Sequence, residues 1–186
     1  MTDGTEEVAA PKEVVDPAAA LYEIPELAGL GRVFRSSAPI PLTESKTGYV
    51  VSCVKHVYEQ NVVLQFNVEN TVDNQRIENV TVILESEKGL FEVTGEIPAP
   101  AIKCGGTRTC YTVMGRDVGA PMEIYELTSS LHFNVVQVNP VSGEAERNSL
   151  EEEYPLEDLF MRSADYMAKI TVPNFRKTWE ATGNDN

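Results

Sequence analysis

The sequence has few basic residues and no long apolar run. Its 15 lysines and arginines are opposed by 29 acidic residues, which gives a formal net charge of −14 at pH 7. A field of that sign repels phosphate backbones and anionic lipid headgroups, so we expect no nucleic-acid partner and no direct membrane insertion. No apolar stretch approaches the about 20 residues of a membrane-spanning helix, and the N-terminus lacks the basic and apolar regions of a signal peptide. We therefore expect a cytoplasmic protein.

Residues that commonly carry chemistry are also scarce. The 3 cysteines form an odd count without the density of a disulfide scaffold, which suits a reducing compartment. His56 and His132 do not stand at metal-ligand spacing from a cysteine or from each other, and we interpret both as structural. Cys104 and Cys110 match neither C-x-x-C nor a common zinc spacing, and no serine carries a G-x-S-x-G signature. We predict no catalytic residue, no metal site and no cofactor.

An acidic run at residues 144–158 is a further candidate for cation binding. Its acids lack the regular alternation and the central glycine of an EF-hand loop. Blocks of like charge usually repel one another and stay hydrated. We therefore expect a solvated connection here and not a calcium site.

The first 34 residues divide into a polar stretch and a short amphipathic stretch. Residues 1–20 offer little apolar area to offset the entropy of ordering, so we expect a disordered linker. Residues 21–34 then carry large apolar side chains at spacings of three and four, which predicts a short amphipathic turn that docks on another element. These side chains are Leu21, Ile24, Leu27, Leu30 and Phe34.

From Tyr49 onward the apolar period changes to two, which predicts β-strands. In residues 61–70 the side chains Val62, Leu64, Phe66 and Val68 share one face, as in a strand with one buried side. The same alternation recurs in three further groups: Val80, Val82 and Leu84; Thr109, Tyr111 and Val113; and Leu131, Phe133 and Val135. Turn residues separate these runs. The pattern predicts a mainly β fold, an immunoglobulin-like antiparallel β-sandwich over residues 21–155.

Residues 156–186 predict the start of a second, incomplete unit. Residues 159–170 can form one strand, and Asn174 can cap a short helix that ends at Gly183. On such a helix Phe175 and Trp179 lie on one face, about one turn apart. Packing of this helix into a core explains the pair, but tryptophan is also enriched at binding hot spots, so both interpretations stay open at this point.

A series of short segments runs in a fixed order from about residue 22 to residue 183. They are Ile24-Pro25-Glu26, Leu30-Gly31, Phe34-Arg35-Ser36-Ser37, Leu42-Thr43-Glu44-Ser45, Tyr49-Val50-Val51, Cys53, Lys55-His56, Gln65-Phe66, Glu78-Asn79-Val80, Thr109-Cys110-Tyr111, Glu153-Tyr154-Pro155-Leu156-Glu157-Asp158-Leu159, Ala164-Asp165, and Asn174-Phe175 ahead of Trp179-Glu180. Individually these segments are not diagnostic. In this order, over most of the chain, they resemble the appendage domain of the coatomer gamma subunit.

The resemblance implies both a fold and a function. The fold is an immunoglobulin-like sandwich followed by an α/β platform subdomain, of which residues 156–186 would be the first strand-helix piece. The function is that of a non-catalytic interaction module in the COPI vesicle coat, which recruits regulators such as an Arf GTPase-activating protein during transport between Golgi and endoplasmic reticulum. Such a protein is cytoplasmic and peripheral on Golgi and vesicle membranes, and it attaches through other coatomer subunits.

The resemblance also implies binding residues. In related appendages an aromatic residue at the start of the platform helix and a tryptophan four residues later lie at the partner pocket. Phe175 and Trp179 match that pattern, so we expect them to bind partners, although the rest of the platform would lie beyond residue 186.

Two other functions remain open from the residues alone. A stand-alone sandwich can bind a peptide by adding it as a strand at an open sheet edge. A hydrolase with an acidic site is the weaker alternative, since an enzyme needs converging ionisable groups in a cleft.

Overall fold

The computed structural model describes residues 18–86, 91–116, 119 and 124–167. In these ranges the chain is mainly β, with three short 3₁₀ turns. The strands are β1 (Arg35–Ser36), β2 (Ile40–Pro41), β3 (Tyr49–Val57), β4 (Asn61–Asn70), β5 (Gln75–Ser86), β6 (Phe91–Ile97), β7 (Ala99–Lys103), β8 (Gly106–Arg116), β9 (Tyr125–Val138), β10 (Ala145–Pro155) and β11 (Leu159–Met161). The 3₁₀ turns are η1 (Ala19–Glu23), η2 (Ala28–Leu30) and η3 (Ser163–Tyr166). No helix within these ranges has the length and apolar character that crossing a bilayer requires.

The strands form two antiparallel sheets. Sheet A is six-stranded in the order β1-β3-β4-β8-β6, with β2 also paired to β3. Sheet B is five-stranded in the order β10-β9-β5-β7, with β11 also paired to β9. Every pairing is antiparallel. The predicted antiparallel β-sandwich is confirmed.

The main core lies between the two sheets. Strand β4 has the bounds Asn61–Asn70 that its alternation predicts, and the alternating side chains Val62, Leu64, Phe66 and Val68 are fully buried. They pack with side chains of sheet B such as Ile77, Leu131 and Phe133. The alternation arises because successive side chains of a strand point to opposite faces.

A second, smaller core lies on the outer face of sheet A. The segment of residues 18–30, which we call the N-terminal strap, covers that face. Its buried side chains Ala18, Leu21 and Leu27 pack with Tyr58, Val63 and Val113. The amphipathic stretch therefore docks, as its spacing predicts. Residues 18–20, which we had assigned to a disordered linker, belong to the strap, whereas residues 1–17 lie outside the described ranges.

The strap also corrects one face assignment. The sequence placed Thr109, Tyr111 and Val113 of β8 on the face with the apolar pattern. In the structure Cys110 and Met114 point into the main core, and Val113 lies in the core beneath the strap. Strand β8 is apolar on both faces because both of its faces are covered.

The acidic run is a strand and not a solvated connection. Residues 145–155 of this run form β10, which pairs with β9 along sheet B. The expectation was wrong because an edge strand can carry charged side chains, and both faces of this strand are open to water at residues 151–153. Glu151, Glu152 and Glu153 are all exposed in this strand.

The strand expected over residues 159–170 is much shorter in the described part of the chain. Strand β11 ends at Met161 and the turn η3 follows it. The turn begins where the backbone N–H of Arg162 donates a 2.8 Å hydrogen bond to the Asp165 carboxylate. Leu156, Leu159 and Met161 pack in the main core, so the sandwich as described continues past residue 155.

Candidate functional site

Two concavities meet at one end of sheet A. The larger has a volume of ≈630 Å³. The residues that line it are Arg32, Val33, Phe34, Val57, Tyr58, Glu59, Arg116 and Tyr166. The smaller has a volume of ≈310 Å³ and lies between Arg32 to Ser36 and the strap residues Ala18 and Tyr22. Both share Arg32, Val33 and Phe34. We call the combined surface the Arg32–Phe34 groove.

Backbone hydrogen bonds hold the shared wall in place. The N–H of Val33 donates to the Tyr22 hydroxyl at 3.1 Å, and the N–H of Phe34 donates to the Val57 carbonyl at 2.7 Å. The chain reaches this wall through Gly31, whose φ of 86° is strained for any residue with a side chain. The strap and β3 together therefore position residues 32–34.

The groove exposes aromatic side chains. Phe34 is 56% exposed and Tyr22 is 47% exposed, although both are large. Tyr58 forms part of the larger concavity and is itself buried. Burial raises the pKa of Tyr58, and the nearby Tyr22 adds to that effect, so its phenol stays neutral at physiological pH. The apolar area of the groove is available to another molecule.

Two arginines, Arg32 and Arg116, border this apolar area. The guanidinium of Arg116 lies 4.2 Å from the centre of the Tyr166 ring, within the range of a cation–π contact. Burial raises the pKa of Tyr166 to about 12, although Arg116 acts in the opposite direction. Arg32 makes no hydrogen bond or ion pair with any residue that the structure describes. Glu59 is the acidic residue among the described walls of the larger concavity.

A buried ion pair fixes the far wall of the groove. The Lys55 ammonium lies 2.6 Å from the Asp165 carboxylate and donates a 2.9 Å hydrogen bond to the Phe160 carbonyl. Arg35 donates to the carbonyls of Ala164 and Met167. These contacts join β1 and β3 to η3, and they thereby hold Tyr166 against the groove.

The remaining candidates for chemistry have structural surroundings. His56 is fully buried, and its ring lies 2.8 Å from the Ser36 hydroxyl and 3.1 Å from the Gln65 amide oxygen. Burial raises the pKa of the Cys110 thiol to about 12 and raises that of Cys53 as well. Within the described ranges, no three His, Cys, Asp or Glu side chains converge closely enough to hold a metal ion. The Arg32–Phe34 groove offers apolar contact and positive charge, which suit the binding of another molecule.

The predicted binding residues and the observed groove are different parts of the chain. Phe175 and Trp179 lie outside the described residues, so their role stays a prediction. The sequence analysis missed the groove residues Arg32, Arg116 and Tyr166, because they are far apart in the chain. In the sequence, Phe34 is only the last apolar position of the amphipathic stretch.

Comparison with known proteins gives one consistent family. Residues 16–162 match the family model described as the coatomer gamma subunit appendage platform subdomain. The coatomer subunit gamma of Arabidopsis thaliana is 37% identical over 169 residues, which cover 89% of this chain and 19% of that protein. Coatomer subunit gamma-2 of Oryza sativa subsp. japonica is 40% identical over 162 residues, 87% of this chain and 18% of that one. Coatomer subunit gamma-1 of Bos taurus is 36% identical over 167 residues, with coverages of 89% and 19%.

The extent of these matches differs from one comparison to the next. The chain spans 18–19% of the length of the three relatives. A crystal structure of the yeast GGA1 GAE domain aligns with 64% of this chain and 97% of that chain, at 12% identity and a TM-score of 0.41. The family description applies the word platform to a range that contains the sandwich, whereas the resemblance in the sequence implies a platform that begins at residue 156. With most of its length matched by the family model, and with 36–40% identity to three gamma subunits, this chain belongs to the coatomer gamma subunit appendage family.

Proposed function

We propose that this chain is a non-catalytic protein-interaction module of a vesicle coat subunit. It recruits accessory and regulatory proteins, such as a GTPase-activating protein for Arf, during transport between Golgi and endoplasmic reticulum. The observation that carries the proposal is the exposed aromatic surface of Phe34 and Tyr22 in the Arg32–Phe34 groove, in a chain of the coatomer gamma appendage family. Exposed aromatic side chains beside arginines are typical of protein-binding surfaces.

The same family supports a proposed location. The module acts in the cytoplasm, on the surface of Golgi membranes and COPI vesicles, and other coatomer subunits attach it there. The net charge of −14 supports attachment through proteins, since it opposes direct contact with anionic lipid. Each contact with a partner is modest in affinity, and many modules on one vesicle add avidity.

We further propose that Trp179 and Phe175 form a second contact surface. The residues that follow the described sandwich would lead into a further unit that carries this pair. Support comes from the four-residue spacing, which puts both side chains on one face of a helix.

Direct binding to a purified Arf GTPase-activating protein tests the proposal. The full chain is immobilised, and the affinity of the purified protein is compared for the original sequence and for Trp179→Ala. We expect a loss of about thirtyfold, the size typical of a hot-spot tryptophan. Val141→Ala is the matched control, because Val141 is an apolar side chain between β9 and β10 that is 94% exposed. If Trp179→Ala binds the partner with the same affinity as the original chain, the Trp179 surface is excluded. If neither this partner nor any other coat regulator binds the original chain, the recruiting role is excluded.

One observation favours a second candidate function, which is peptide binding by strand addition at β10. Among the described residues β10 pairs only with β9. The Leu156 N–H donates to the Ser129 carbonyl at 3.0 Å, so by alternation the N–H groups of Glu151 and Glu153 point away from β9. These outward groups can pair with an added strand.

A proline substitution distinguishes the two candidates. Glu153→Pro removes an outward N–H, and Pro155 already occupies an equivalent outward position of the same strand. Strand addition predicts that Glu153→Pro abolishes partner binding, that Glu153→Ala preserves it, and that Trp179→Ala has no effect. Recruitment through Trp179 predicts instead that Glu153→Pro has no effect on partner binding and that Trp179→Ala weakens it.

A further inference from the structure

We infer that the Arg32–Phe34 groove binds an extended acidic segment of a partner protein, in which carboxylates flank an aromatic side chain. The inference rests on the proposed function, and it assigns a surface of the sandwich and a chemical class of partner. It does not involve Trp179 or Phe175.

The shape of the groove fits a peptide. The larger concavity, at ≈630 Å³, falls within the range of about 300–1,000 Å³ that is typical of ligand pockets. The smaller one, at ≈310 Å³, continues it across the shared wall of Arg32, Val33 and Phe34. A molecule that fills both concavities must cross that wall. An extended peptide can do so, with one side chain in each concavity.

The walls of the larger concavity fit an aromatic side chain. Val33, Val57 and Tyr58 provide apolar contact, and Phe34 is exposed by more than half of its area. An inserted aromatic ring can pack against Phe34 and cover apolar surface that is otherwise in water.

The charges select acidic neighbours for that ring. Arg32 is common to both concavities and has no partner among the described residues. Arg116 stacks one face on Tyr166, which leaves the N–H edge of its guanidinium able to bind a carboxylate. Arg35 is already committed to the carbonyls of Ala164 and Met167, so it shapes the groove. Glu59 repels carboxylates from its own side of the larger concavity, which gives the bound segment a direction.

The same charges argue against other occupants. A basic peptide would face Arg32 and Arg116 at the groove. An anionic membrane would meet a chain of net charge −14, and at physiological salt only charges within about 8 Å of the ligand act on it strongly. A small acidic segment is therefore attracted locally, whereas a broad anionic surface is repelled as a whole.

The test measures binding of a short fluorescent peptide, in which acidic residues flank one tryptophan, to the full chain. Two peptide controls replace the acids by their amides or the tryptophan by alanine. We expect Arg32→Glu to weaken binding of the acidic peptide by about tenfold or more, because it removes a charge-assisted hydrogen bond and adds repulsion. We expect Phe34→Ala to weaken it as well, and both control peptides to bind more weakly than the original peptide.

Matched variants separate local recognition from net charge and from misfolding. Arg108→Glu makes the same charge change on an exposed arginine of β8, near the end of that strand opposite to Arg116. Val141→Ala removes an exposed apolar side chain in the turn between β9 and β10, as Phe34→Ala does at the groove. Neither should change the peptide affinity. Urea unfolding midpoints equal to that of the original chain establish that Arg32→Glu and Phe34→Ala are folded.

Several results would overturn the inference. The first is an equal loss of peptide affinity for Arg32→Glu and Arg108→Glu. The second is an affinity of the amide peptide equal to that of the acidic peptide. The third is no binding of the acidic peptide to the folded chain. Binding of anionic lipid vesicles that Arg32→Glu abolishes would assign the groove to a membrane instead. If the Arf GTPase-activating protein binds while the acidic peptide does not, the proposed function stands and this inference fails. If the peptide binds but no coat regulator does, the proposed function fails and the groove remains.

Discussion

Lys55 and Asp165 form an ion pair at 2.6 Å although 110 residues separate them in the chain. The side chains are 5% and 17% exposed, respectively, so water screens the pair only weakly. Asp165 also accepts a hydrogen bond from the backbone N–H of Arg162, which starts the turn η3. One carboxylate therefore both caps this turn and fastens it to β3.

We expect Asp165→Asn to lower the free energy of unfolding by about 3 kcal/mol, because it leaves the Lys55 ammonium buried without a counter-charge. The double variant Lys55→Met with Asp165→Asn should recover much of this loss, since the uncompensated charge is then gone and asparagine can still accept from Arg162. Urea unfolding measures all three chains.

The control for this pair is Glu78→Gln. Glu78 lies 2.5 Å from Arg76, but both side chains are about 30% exposed, so we expect a change of about 0–1 kcal/mol. Equal effects of Asp165→Asn and Glu78→Gln would show that burial does not make the Lys55–Asp165 pair special.

The N-terminal strap gives a second stability prediction. Leu21 is 1% exposed and packs in the core on the outer face of sheet A. We expect Leu21→Ala to destabilise the fold by about 2–4 kcal/mol, from lost burial and from the cavity that remains. Glu23→Ala, at an exposed position of the same turn, should change stability by less than about 0.5 kcal/mol. Equal midpoints for Leu21→Ala and the original chain would mean that the strap does not contribute to the cooperative unit.

The sequence predicts β4 best, because four apolar side chains alternate on its main-core face and only Val63 is apolar on the opposite face. In β4 the buried side chains Val62, Leu64, Phe66 and Val68 follow a strict alternation, and the observed bounds match. In β8 the alternation misleads, since Met114 faces the main core while Val113 faces the strap. A strand covered on both faces carries apolar residues on both, so its sequence does not tell which face is inside.

The groove escapes sequence analysis for a different reason. Arg32, Arg116 and Tyr166 come from the strap side, the end of β8 and the turn η3, and only the two-sheet topology brings them together. No local spacing links them. The Phe175 and Trp179 pair is predicted from helical spacing, which is a local property of the sequence, and its role stays a prediction.

Thiol chemistry gives a third prediction. Cys53 and Cys110 are at most 1% exposed, and burial raises the pKa of both thiols. Cys104 is exposed, but its hydrogen bond to the Asp73 carboxylate raises its pKa as well. We expect iodoacetamide to alkylate Cys104 in the folded chain and the other two only after unfolding, because the thiolate is the nucleophile.

Asp73→Asn tests the cause of that shift. Removing the carboxylate should lower the pKa of Cys104 and speed its alkylation at mildly alkaline pH, as mass spectrometry of the labelled peptides would show. Rapid labelling of Cys53 or Cys110 in the folded chain would contradict the burial that the structure assigns to them.

The last prediction concerns alkaline pH. Burial raises the pKa of Tyr166 to about 12, whereas a tyrosine in an unfolded chain titrates at about 10. Between these values the unfolded chain releases a proton that the folded chain retains, so the free energy of unfolding falls as pH rises through this window. Tyr166→Phe keeps the ring under Arg116 but has no phenol to ionise, and it should therefore lose less stability than the original chain between neutral pH and about pH 11. Tyr49, Tyr58 and Tyr111 also have raised pKa values, so the variant retains part of the alkaline loss. Urea unfolding midpoints are measured for both chains at both pH values, and the difference between their losses of stability gives the contribution of Tyr166. Identical losses for the two chains would show that Tyr166 ionises as easily in the folded chain as in the unfolded one.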